Sequence, residues 1–98
     1  MAKDKKSIED IIKFISVEDA EKTTKYADLL MEGYALCLDF RNCPLEEANQ
    51  ILYFLEGVNY ATDGYPTLMK DKVFLLATKQ TLKDPEVKKF INDYKEAK

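Results

Sequence analysis

The chain has 98 residues, 15 basic and 18 acidic side chains, a formal net charge of −3 and no histidine. That length makes one small domain with a modest core, which favours burying further surface in an oligomer. A slightly acidic chain whose only arginine is Arg41 lacks the positive charge and the bidentate groups a nucleic-acid binder uses, and the absence of histidine removes the commonest metal ligand and general base.

Residues 1–9 read as a flexible tail, lysine-rich from Met1 to Lys6, and residues 10–98 as one domain. Asp10 to Val17 reads as a strand, because Ile11, Ile12, Phe14, Ile15 and Val17 are β-branched or aromatic. Ile8, Ile11, Ile12 and Ile15 also have helical spacing, so an amphipathic helix is the rival reading. Ser16-Val17-Glu18-Asp19 has the form of a capping box, opening a helix that runs to Glu32 with Ala20, Thr23, Ala27 and Leu30 on one face. Gly33 supplies its stop.

Tyr34 to Phe40 is the second strand. It is apolar on both faces, so both are expected to be covered. Cys43-Pro44 opens the second helix, with Glu46 and Glu47 near the positive end of its dipole. Leu45, Ala48, Leu52 and Leu55 form one apolar stripe, and Ile51, Phe54, Val58 and Ala61 form another beside it. Together they make an arc wider than one sheet requires. Helix interiors usually avoid glycine, so Gly57 implies a close packing partner. After Gly64, Tyr65 to Lys70 and Lys72 to Thr78 form a hairpin turning near Lys70-Asp71. Asp84-Pro85-Glu86 starts a last helix with a stripe of Val87, Phe90, Ile91 and Tyr94.

The expected fold is therefore an α/β two-layer sandwich in the order β-α-β-α-β-β-α. Its mixed sheet carries two helices on one face, plus a C-terminal helix. A strand-helix-strand order implies a parallel pair with a right-handed crossover, which places both crossover helices on the same face. The C-terminal helix or a second subunit then has to cover the other face.

Little in the chain points to catalysis. Glu18, Asp19, Glu21, Glu46 and Glu47 fall at helix starts, Asp39 ends a strand, and Asp63-Gly64 reads as a turn rather than a phosphate cradle. Cys37 and Cys43 read as reduced thiols, without the further ligands of a metal site. No nucleophile–base pair is present, and no secretory or transmembrane run. The expectation is a cytoplasmic protein that is not an enzyme and uses no cofactor and no metal.

One ordered set of motifs goes further. An apolar strand ends at Asp39, and a helix start with Glu46, Glu47 and Ala48 follows. Then come Phe54-Leu55-Glu56-Gly57-Val58-Asn59-Tyr60-Ala61-Thr62-Asp63-Gly64 and the strand Lys72-Val73-Phe74-Leu75-Leu76. From about Ile12 to about Thr78 this order resembles SepF, the family of cell-division proteins that tether the tubulin-like polymer FtsZ to the membrane. The chain differs in having Ala77-Thr78 where the family often has a proline, and Asn59 where an apolar residue is common. The family's N-terminal membrane-binding segment and linker are expected to be absent or vestigial here.

The resemblance favours the strand reading of Asp10 to Val17. It implies a non-enzymatic adaptor that dimerises and binds the C-terminal tail of FtsZ at the inner face of the cell membrane at the division site. Membrane attachment would then use an anchor segment not evident here. It places the peptide site at Tyr60, Leu68, Lys70, Lys72 and Phe74, and a self-association contact at Phe54, Gly57, Val58 and Ala61. The bare sheet face is the expected primary dimer interface. The alternative reading is a small metabolite-sensing regulatory α/β domain, which the topology alone permits.

Overall fold

The computed structural model describes residues 8–96. The expected tail therefore lies outside the described residues up to Ser7, while Ile8–Asp10 forms a 3₁₀ turn. The elements that follow are β1 (Ile12–Ser16), α1 (Thr23–Met31), β2 (Ala35–Asp39), α2 (Leu45–Ala61), β3 (Tyr65–Lys70), β4 (Val73–Ala77), α3 (Lys79–Leu82) and α4 (Pro85–Glu96). The strands form one mixed sheet in the order β1-β2-β4-β3. The β1–β2 pair is parallel, and the β2–β4 and β3–β4 pairs are antiparallel.

Side chains alternate across a strand, so β2 feeds two cores. Leu36 and Leu38 join Tyr26 and Leu30 of α1, Ala48, Ile51 and Leu55 of α2, and Leu76 of β4 on one face. Ala35 and Cys37 join Ile12, Met69, Val73, Leu75 and Ala77 on the other, under Leu82 of α3 and Val87 of α4. Phe90, Ile91 and Tyr94 pack along that second core. The fold is the expected α/β sandwich with both crossover helices on one face. The far face, expected as the primary dimer interface, is not bare: α3 and α4 lie across it. Val87 is fully buried, worth about 2 kcal/mol, and the partly buried Phe90, Ile91 and Tyr94 add to it, which holds the amphipathic α4 on the apolar sheet.

The first helix starts later than the Ser16–Asp19 motif predicts. Ser16 ends β1, and the Val17 N–H donates to the Asp39 carbonyl at 2.9 Å, which keeps the chain extended past the would-be cap. Val17 is fully buried there. Asp19 accepts the Glu21 N–H at 2.9 Å, making a local turn instead of a helix cap. The short helix α3 was not expected; Thr78 caps it by accepting the Thr81 N–H at 3.3 Å.

Between β3 and β4 the pairing shifts: Leu68 faces Phe74, but Lys70 faces Val73. One extra residue on β3 makes a bulge, and a bulge reverses the alternation of the side chains beyond it. The turn closes through Lys72, which holds a left-handed φ of 65°.

Asn59 is an anomaly in the core. It is 1% exposed, and neither its amide nitrogen nor its amide oxygen has a hydrogen-bond partner among the described residues. A buried polar group without a partner costs about 1–3 kcal/mol, and leucine also has the better helix propensity. Asn59→Leu is therefore expected to stabilise the domain by about 1 kcal/mol, raising its melting temperature by roughly 4–8 °C. A lower melting temperature by calorimetry would mean that the amide is satisfied in solution.

Candidate peptide-binding groove

The first half of α2 and the β3–β4 hairpin stand apart enough to leave an open groove of about 340 Å³. Leu45, Ala48, Asn49 and Leu52 line one wall, three and four residues apart and so on one side of the helix. Leu68 and Phe74 line the other; they are direct cross-strand partners, which puts both side chains on the same face of the sheet. Phe40 and Cys43, from the β2–α2 connection, close one end, and Asp71 and Lys72 stand at the hairpin turn.

Several contacts fix this geometry. The Phe40 and Phe74 rings meet nearly edge to face, with centroids 6.1 Å apart. The Phe40 N–H donates to the Lys72 carbonyl at 2.8 Å, tying the groove's end to the turn. Glu47 anchors the start of α2 to the loop before α1 by accepting the Ala20 N–H at 2.8 Å. Burial, helped by the nearby Glu47 and Asp19 carboxylates, pushes the Cys43 thiol up, so it stays protonated at neutral pH. Asp39 behaves as a structural residue: it accepts the Arg41 N–H and holds that guanidinium through both carboxylate oxygens. Those bonds lower its pKa to about 2.

Leu68, Lys72 and Phe74 therefore come together, with Leu68 still 58% exposed. Lys70 and Tyr60 do not join them. The bulge turns Lys70 to the opposite face of the sheet, where its ammonium lies 5.9 Å from the centre of the Tyr94 ring. Tyr60 sits roughly 12 Å further along α2 than Leu52 and is 86% exposed on the helix's outer side. Phe40, Cys43, Leu45, Ala48, Asn49 and Leu52 complete the groove without having been singled out for it. Leu45, Ala48 and Leu52 left a trace in the sequence as one of the two apolar stripes on α2, an arc wider than one sheet covers.

Of the four residues that the resemblance suggests for self-association, Phe54, Gly57 and Ala61 lie on the exposed side of α2, while Val58 turns partly into the core. A Cβ built on Gly57 would meet nothing within 4 Å among the described residues, so no contact with them accounts for the glycine.

A second, larger cleft of about 490 Å³ opens beside Gly33 and α3. Asp10, Glu32, Lys83 and Asp84 line much of it, and it offers no pair of facing apolar walls.

Against models of known families, residues 12–81 match the cell division protein SepF. The chain belongs to the SepF family. No curated protein matches it. The SepF match runs from β1 to α3 and so includes both walls of the groove, while α4 falls beyond it. Among the described residues, no helix is long and apolar enough to cross a membrane, and no group of side chains has the make-up of a metal site.

Proposed function

We propose that this SepF-family chain is a non-enzymatic division adaptor that takes the C-terminal tail of FtsZ into the groove between α2 and the β3–β4 hairpin. The observation that carries this reading is the convergence of Leu68 and Phe74 with Leu45, Ala48 and Leu52 on one apolar trough, with Lys72 at its rim. Two facing apolar walls suit the side chains of a short peptide, and a rim cation steers acidic neighbours. The adaptor acts as a dimer, which presents two grooves to a polymer and gains avidity from weak single contacts. The outer side of α2, with Phe54, Gly57 and Ala61, is a self-association contact, because a glycine unoccupied in its own protomer admits the close approach of another. The adaptor works at the inner face of the cell membrane at the division site, linked to the membrane through an anchor segment.

Titration with a labelled FtsZ tail peptide tests the site. Lys72→Glu is expected to slow association several-fold at low ionic strength, with the difference fading as salt rises. Lys70→Glu, on the other face of the sheet, is expected to leave binding unchanged. Equal effects of the two substitutions would remove the groove as the site.

A further inference from the structure

The two edges of the sheet differ. β3 forms one edge and is blunted: Pro66 has no N–H, the bulge near Met69 breaks the line, and Lys70 follows. β1 forms the other edge and has neither a proline nor a bulge; Lys13 is its one charged residue.

The hydrogen bonds of β1 fix which of its groups are open. The Ala35 N–H donates to the Ile11 carbonyl and the Val17 N–H to the Asp39 carbonyl, both at 2.9 Å. In a parallel ladder, residues that bond to the neighbour alternate with residues that point away. Ile11, Lys13, Ile15 and Val17 therefore face β2. The N–H and C=O groups of Ile12, Phe14 and Ser16 point outward, and no described residue bonds to them. Beside this open ladder Phe14 is 52% exposed, touched by Phe90 of α4 at a ring distance of 5.6 Å.

We propose that the β1 edge pairs with the β1 edge of a second copy of this chain, antiparallel and about a two-fold axis at Phe14. The pattern is self-complementary. The outward triplet is centred on Phe14, so the axis pairs Phe14 with its own mate and Ile12 with the partner's Ser16. This gives about six main-chain hydrogen bonds. On the other face Lys13 meets the partner's Ile15, so no like charges oppose each other. Lys13 already lies over the Tyr34 ring at 4.6 Å, clear of the joint. The two exposed Phe14 rings cover one another and extend the contact with Phe90. The result is a continuous eight-stranded sheet. This contact is separate from the α2 face, and two distinct two-fold contacts on one protomer propagate a chain instead of closing at a dimer.

The test uses the full chain carrying Gly57→Lys, which removes the α2 contact. Sedimentation at high micromolar concentration is expected to show a dimer. Adding Phe14→Lys or Phe14→Glu is expected to give monomers with an unchanged circular dichroism spectrum, because each sets like charges against each other at the axis. Mixing those two variants is expected to restore the dimer. Ser16→Pro, which removes one outward N–H and no bond to β2, is expected to raise the dimer dissociation constant at least tenfold and covers the case of a Phe14 variant that fails to fold. A dimer that persists in folded Phe14→Lys, monomers already in Gly57→Lys alone, or a mixture that stays monomeric each overturns the proposal. Binding of the FtsZ tail peptide, measured on the same variants, reports on the groove independently.

Discussion

Gly64→Ala is expected to destabilise the domain by about 3 kcal/mol, lowering its melting temperature by roughly 15 °C. A Cβ at this position would collide with the carbonyl oxygen of Ala77 and lie 2.9 Å from the Thr78 Cα. Both are backbone atoms at the end of β4 and cannot swing aside as a flexible side chain can. The neighbourhood is already tied down: the Gly64 N–H donates to the Asn59 carbonyl at 2.8 Å, the Lys79 N–H reaches the Thr62 carbonyl, and Asp63 holds a φ of 61°. The comparison is Gly57→Ala, inside α2. Among the described residues nothing lies within 4 Å of its added methyl group, so replacing a mid-helix glycine is expected to stabilise the monomer by about 0.5–1 kcal/mol. Thermal melts of the two variants side by side check both signs. A Gly64→Ala protein as stable as the parent would show that the turn after α2 can move.

Phe74→Ala is expected to weaken binding of the FtsZ tail about 30-fold, or about 2 kcal/mol, as loss of an aromatic anchor in a peptide groove commonly does. Phe74 is also half-buried and packs on Phe40, so the same substitution is expected to lower stability. Leu68→Glu separates the two effects. Leu68 is exposed and absent from the core, so this change is expected to leave the melting temperature within a few degrees of the parent while weakening binding at least tenfold. Full affinity in a folded Leu68→Glu protein would place the tail elsewhere.

Much of this was legible along the chain because local physics dominates there. Alternation and β-branched residues set the strands, and the 3.6-residue stripes set α2 and α4. The motif from Phe54 to Gly64, with the strand through Phe74, pointed to the family that residues 12–81 match. The paired stripes on α2 also announced an apolar surface beyond what the sheet needs. That surface is the Leu45–Ala48–Leu52 wall of the groove.

Other features depend on contacts between distant segments. The motif at Ser16–Asp19 looks like a helix cap, but pairing with Asp39 keeps the chain extended, because a ladder hydrogen bond and the burial of Val17 outweigh a local capping preference. Lys70 and Lys72 look equivalent in sequence. A single extra residue in β3 sends Lys70 to the α4 face while Lys72 stays at the groove, since side-chain direction depends on register and register is set by the partner strand. The far face of the sheet needed a cover, and composition alone left either α4 or a second subunit to provide it. The sequence by itself determined the elements, their order and the family, because spacing along one chain encodes them. Only the tertiary structure decided which residues share the groove and which face α4 covers, because those depend on where separate elements meet in space.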